Sequence, residues 1–207
     1  MNINHSKTEI TVFRKGEPLR TYEKWTYMGE RVNVTSNYKY MGLIFSSTLS
    51  WNKAREKLAT QAQKSINAIK TFGRNFGKFD LVEYFKLFDS MVKPILIYGA
   101  EIWGTEIADE IEQIQLNFCK DFLGLRNTTV NNCMVLGECG RLPLSVDYHI
   151  KAIKYWCKLL IMQENRYPRN SYLMLKRLDD IGRRNWLTAI NIYYLDLDLG
   201  MRGYIKK

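Results

Sequence analysis

Only 4 prolines and no low-complexity tract occur in the 207 residues, and nothing repeats at solenoid-like spacing. These absences argue against a disordered chain and a repeat array, and a 46% hydrophobic content is enough to bury a core as one large or two small domains. No run reaches the roughly 18 continuous apolar residues of a bilayer span. The most apolar stretch, FDLVEYFKLFDSMVKPILIYGAEIWG from Phe79 to Gly104, is cut by Glu83, Lys86, Asp89, Lys93 and Glu101. The first residues, MNINHSKTEI, lack an apolar signal-like run, so a reducing intracellular setting, nuclear or cytoplasmic, is expected and no membrane partner is.

Catalytic signatures are also scarce. The chain has no Walker-type glycine loop, no Gly-x-Ser-x-Gly elbow and no His-Glu-x-x-His. Cys133, Cys139, His149 and Cys157 are separated by five, nine and seven residues, whereas structural zinc sites pair ligands two to four residues apart; buried free thiols are the better reading. Glu101, Glu106, Asp109, Glu110 and Glu112 read as a solvated capping region at a helix start rather than a Mg²⁺ cluster. Asp179-Asp180 precedes Ile181-Gly182 as a helix C-terminus would, and lacks the rigid β-hairpin that a two-metal site needs. No catalytic and no metal-binding residue is assigned.

Positive charge is plentiful but uneven. Residues 1–50 carry 7 basic and 4 acidic side chains, 51–100 carry 9 and 4, 101–150 carry 3 and 8, and 151–207 carry 12 and 5. Two basic regions flank an acidic middle, a distribution suited to a polyanion that touches particular faces.

The first 45 residues read as β-rich. Glu9 to Arg14 is a short strand, Lys15-Gly16-Glu17-Pro18 a turn, and Trp25 to Met28 pairs with Arg31 to Val34 around Gly29-Glu30. Tyr38 to Phe45 is a third strand, with Gly42 inside it as a bulge or a close backbone approach. After Phe45 the period changes to 3.6. Ser50 caps a helix with the apolar stripe Trp51, Ala54, Leu58, Ala62, Ile66, Ile69 and Phe72, which stops at Gly73 and carries Lys53, Lys57, Lys64 and Lys70 off that stripe.

The Phe79–Gly104 stretch is expected to be the buried rod. Asp80 caps it, its inner face is Leu81, Tyr84/Phe85, Phe88, Met91/Val92, Ile95, Tyr98 and Ile102, and Pro94 bends it. Next comes a helix with Ile107, Ile111, Ile114, Phe118 and Phe122 on one side, ended by Gly124. A short helix lies between Asn127 and Gly140, and Pro143 starts a longer one through Leu160 that Tyr167-Pro168 breaks. Asn170 caps Ser171 to Leu178, and Asn185 caps Trp186 to about Leu195, before Gly200 and a basic end.

Laid side by side, KTEITVF, YKYMGLIF, LSWNKAREKLATQAQKSINAI, FDSMVKPILIYGAEIWG, IEQIQLNFCKDFLGL, GECGRLPL, IKYWCKLL and GRRNW carry a resemblance that covers nearly the whole chain. They resemble, in order, the carboxy-terminal part of reverse transcriptases encoded by LINE-type (non-LTR) retrotransposons of the jockey-like group. The period change after Phe45 predicts a mainly α chain, with one helical body from about residue 49 onward, and the resemblance implies a layout consistent with it: a β-rich palm edge with a primer-grip-like hairpin over residues 1–48, thumb-like helices over 49–126 and a helical region over 127–207. It places Tyr40, Met41 and Gly42 at the family's Tyr-Leu-Gly position, where they would position a primer terminus. Met41 in place of leucine conserves volume. The basic helix carrying Lys53, Lys57 and Lys64 would follow the backbone of an RNA/DNA template-primer duplex.

In that family the polymerase carboxylates lie upstream of the Lys-Thr-Glu strand, so this chain is expected to be a truncated copy or a partial gene model. It would lack the catalytic palm and fingers, which become possible partners. No cofactor is expected for this chain, although the intact enzymes use Mg²⁺. The alternative is a non-functional or protein-interaction helical domain derived from a decayed element.

Overall fold

The computed structural model describes residue 4 and residues 8–14, 23–77, 79–125 and 129–192. The turn expected over Lys15-Gly16-Glu17-Pro18, the start of the short helix at Asn127, and the positions of Leu195 and Gly200 lie outside them. The chain is mainly helical, with small two-stranded sheets near its beginning.

β1 (Glu9–Ile10) runs parallel to β4 (Asn33–Val34), and β2 (Thr26–Tyr27) pairs antiparallel with β3 (Glu30–Arg31). The β2–β3 turn is Met28-Gly29, not Gly29-Glu30. Both residues have positive φ, 51° and 83°, the backbone that matches the twist of a two-residue hairpin. Tyr38 to Phe45 is likewise no single strand. β5 (Asn37–Tyr40) turns at Met41-Gly42, φ 48° and 88°, and returns as β6 (Leu43–Ser46), pairing Tyr40 with Leu43 and Tyr38 with Phe45. Gly42 therefore makes the turn rather than a bulge inside one strand, and its positive φ is what a two-residue hairpin turn requires.

α1 (Asn52–Phe76) buries Ala54, Leu58, Ala62, Ile66 and Ile69 as the stripe requires, while Trp51 is half-buried and Phe72 exposed. Trp51, not Ser50, occupies the cap position, and the helix passes Gly73 to end at Gly77, whose φ is 111°. Gly73 serves contact instead: a Cβ there would stand 3.0 Å from the Phe79 ring.

The central stretch is not one bent rod. Asp80 and Glu83 form a reciprocal capping box at the start of α2 (Leu81–Leu87), with bonds of 2.7 and 3.2 Å. A π-helical turn (Phe88–Val92) follows, then α3 (Lys93–Leu96) with Pro94 in its first turn, a break at Gly99 (φ 68°), and α4 (Ala100–Trp103). The buried residues are Phe85, Phe88, Val92, Leu96, Ala100 and Trp103. Tyr98 and Ile102 are exposed and Ile95 is only half-buried against the core, a shift of the inner face as expected of an extra residue wound into a π turn. Leu81 and Met91 are also exposed.

α5 (Asp109–Phe122) buries Ile111, Leu116, Phe118 and Cys119, whereas Ile107 is exposed. α6 (Asn132–Glu138) is capped by the Asn131 side chain, which accepts from the Cys133 amide at 2.9 Å. α7 (Leu144–Leu160) ends before Tyr167-Pro168, which opens α8 (Tyr167–Asp180) rather than breaking a helix; proline needs no amide donor in a first turn. Asn170 therefore lies inside α8 and caps nothing. Residues 186–192 are helical (α9), and the Asn185 side chain accepts from the Leu187 amide at 2.8 Å.

A large core joins the β5–β6 hairpin, α1 to α6 and the start of α7; a smaller one gathers Leu159, Tyr172 and Leu187. α4 and α7 meet closely at Gly104, with Trp103 and Tyr148 ring centroids 5.4 Å apart. No helix among the described residues is long and apolar enough to cross a membrane.

Candidate nucleic-acid interface

At 100° per residue, Lys53, Lys57 and Lys64 fall within about 40° of one another on α1, roughly opposite its buried face. Lys53 and Lys64 are exposed and have no ion-pair partner among the described residues; Lys57 is half-buried. From Lys53 to Lys64 the stripe covers about 17 Å of the axis of this 25-residue helix. Lys70 does not belong to it. It points about 120° away from the centre of the stripe and pairs with Asp121 of α5.

The β5–β6 hairpin is pinned beside this stripe by two bonds to its turn. The Lys57 ammonium donates to the Gly42 carbonyl at 2.9 Å, and the Tyr98 hydroxyl donates to the Met41 carbonyl at 2.7 Å. A Cβ on Gly42 would touch the Tyr98 ring at 3.4 Å, so glycine serves both the positive φ and the approach of the ring. From the other side, Leu43 is buried against Gly99, where a Cβ would come within 2.4 Å of the leucine Cδ1. The turn leaves Tyr40 and Met41 outward, 57% and 73% exposed, with Tyr38 stacked beside Tyr40 at 6.4 Å.

Lys39, on the same hairpin, lines an open cleft with Gly42, Lys57, Gln61, Pro94 and Tyr98. Partial burial, and then the neighbouring Lys39 charge, hold the Lys57 ammonium below the usual lysine range. The fold thus brings Tyr40, Met41 and Gly42 to Lys57, with Lys53 and Lys64 on the same stripe. Comparison of the chain with protein-family models, curated proteins and solved structures gives no match. The local chemistry therefore carries the functional reading.

The chain positions the remaining candidates for structure. The acidic run is not the solvated cap expected: Glu106 and Glu110 bind the buried Arg55 at 2.9 and 2.6 Å, and Glu101 pairs with Lys151 at 3.3 Å. Glu112 accepts from the amides of Leu144 and Ser145, supplying the oxygen that Pro143 cannot give the start of α7. A neighbouring helix needs those charges, and periodicity cannot reveal it.

Asp179 lies in the last turn of α8, where it accepts from Thr188 and from Asn191 at 3.2 Å, joining α8 to α9. The cysteines divide in two. Cys119 and Cys139 are buried neighbours, whereas Cys133 and Cys157 are exposed rather than buried. No three His, Cys, Asp or Glu side chains among the described residues are grouped to hold a metal ion.

Sequence reasoning singled out Lys53, Lys57, Lys64 and Tyr40 to Gly42, but it read Gly42 inside one strand and gave no site role to Lys39 or Tyr98. Lys39 stood inside YKYMGLIF as an ordinary alternating residue. Tyr98 was assigned to an apolar face that the π turn displaced.

Proposed function

We propose that this chain is a non-catalytic carboxy-terminal part of a non-LTR-type RNA-directed DNA polymerase, and that it holds a template-primer duplex along α1 and the β5–β6 turn. The observation that carries the reading is the double tie of the turn: Tyr98 and Lys57 fix Met41 and Gly42 beside the helix that carries Lys53 and Lys64 outward. A fixed row of ammonium groups replaces condensed counterions on a phosphate backbone, and an exposed tyrosine and methionine can lie against a strand end. Binding of this kind reads charge and shape, not base sequence.

The test is fluorescence anisotropy of the full chain with RNA/DNA and DNA duplexes across a salt series. Dissociation constants of about 10⁻⁴ to 10⁻⁶ M at physiological salt are expected, with a log-log slope of about −0.9 per phosphate neutralised on B-DNA. Replacing Lys53, Lys57 and Lys64 by glutamine weakens binding to every sequence alike and flattens the slope. The Lys53 and Lys64 pair alone gives the same effect in smaller measure without touching the Lys57–Gly42 bond. Unchanged affinity and slope in both variants would remove α1 from the interface. A parent chain without salt-sensitive binding leaves the helical interaction domain as the surviving reading.

A further inference from the structure

Two ammonium groups share the cleft at the base of the hairpin turn, and no carboxylate is among its lining residues. Lys57 reaches it from α1 and Lys39 from β5; Gln61 lies one turn beyond Lys57, and Pro94 and Tyr98 form an uncharged wall. The cleft measures about 310 Å³ and is open to solvent.

Ordinary surface lysines swing apart when they meet. Lys57 is restrained, because one of its three donor hydrogens goes to the Gly42 carbonyl at 2.9 Å, inside a turn that Tyr98 also holds. The fold thus keeps Lys57 within range of the Lys39 charge without a counter-ion among the lining residues; burial first, and that charge second, weaken the hold of Lys57 on its proton. An anion in the cleft removes that repulsion and meets the two remaining Lys57 hydrogens. The Tyr98 hydroxyl hydrogen is engaged by the Met41 carbonyl, so the residue supplies a wall and not a donor.

We propose that this cleft is a seat for one phosphoryl group, held by Lys39 and Lys57 with the Gln61 amide as a further donor. On a duplex it takes a single internal backbone phosphate beside the hairpin turn. The duplex as source rests on the function proposed above, but the seat itself does not. Lysines engage phosphate as point charges, so the seat fixes the position of the strand without selecting its bases.

The experiment is a backbone-amide NMR titration of the full chain with inorganic phosphate, and then with short duplexes with and without a 5′-terminal phosphate. Phosphate should shift the amides of residues 39–42 and 57–61 saturably. Lys39→Gln should weaken this about tenfold, the scale of one lost charge-assisted hydrogen bond. Lys39→Glu should abolish it by placing a carboxylate against Lys57, while Lys86→Gln on α2 leaves it unchanged. Shifts that are absent, or that persist unaltered in both Lys39 variants, overturn the seat.

If phosphate binds there and neither duplex binds, the seat stands and the duplex reading falls. If duplexes bind with a salt slope that Lys39→Gln does not change, the duplex reading stands and the seat falls. Equal shifts from both duplexes support an internal phosphodiester; shifts confined to the 5′-phosphorylated duplex overturn that assignment in favour of a strand end.

Discussion

Tyr98 donates its hydroxyl to the Met41 carbonyl at 2.7 Å across 57 positions of sequence, and this bond holds the β5–β6 turn against the break between α3 and α4. Met41 sits at a φ of 48°, a conformation that costs a non-glycine residue about 1–2 kcal/mol, so the turn benefits from a fixed partner.

Tyr98→Phe should lower global stability by about 0.5–1.5 kcal/mol, the net worth of one exposed hydrogen bond. Its local effect should be larger. Amide exchange of residues 37–46 should accelerate more than that of the core residues Phe85 to Phe118, because the short strands have few other ties. Equal acceleration in both regions would show that the bond does not act on the hairpin.

Arg141 binds Asp89 through two hydrogen bonds, one of 2.8 Å, while its guanidinium lies 5.2 Å from the Phe85 ring centre. Those bonds hold the Asp89 carboxyl below the ordinary carboxylate range, against an opposing effect of burial. A carboxylate with a lowered folded pKa contributes stability that is fully present above its unfolded value, about 3.9, and is lost as pH falls through the folded one. The denaturation midpoint should therefore drop with acid below about pH 4. Asp89→Asn should be less stable at pH 7 and show a shallower acid decline, measured by urea titration at each pH.

Gly104 lets α4 approach α7. A Cβ there would lie 2.4 Å from the Ala100 carbonyl oxygen and 2.6 Å from that of Tyr148, so backbone must move. Gly104→Ala should cost about 3 kcal/mol or more. Gly137→Ala, in α6 with nothing within 4 Å of the new carbon, should be neutral or stabilising by up to about 1 kcal/mol. Thermal melts should place Gly104→Ala well below the parent and Gly137→Ala at or above it.

Burial, with Cys139 beside it, pushes the Cys119 thiol up to about 12, so thiolate is scarce there at neutral pH. A colourimetric thiol titration of the native chain should count two fast thiols, Cys133 and Cys157, and four after denaturation. Four fast thiols in the native chain would place Cys119 and Cys139 at the surface.

Periodicity alone determined the mainly helical class, the buried stripe of α1 from Ala54 to Ile69, and the Asp80 cap. These depend on neighbours within one or two turns, where sequence spacing is spatial spacing. It also put Lys53, Lys57 and Lys64 on one face, since a straight helix maps number to angle.

Only the tertiary structure decided which residues of the Phe79–Gly104 stretch face inward. The π turn over Phe88–Val92 and the left-handed Gly99 shift the inner face to Leu96, Ala100 and Trp103, a local backbone choice that depends on what packs against it. It decided, too, that Glu106, Glu110 and Glu112 serve Arg55 and α7 instead of solvent, and that Lys70 is paired with Asp121. Above all it brought Lys39, Lys57, Tyr98 and the Met41-Gly42 turn together. Pairing energies act between groups tens of residues apart, and nothing in the local order of the chain records which of its like-spaced charges will find a partner.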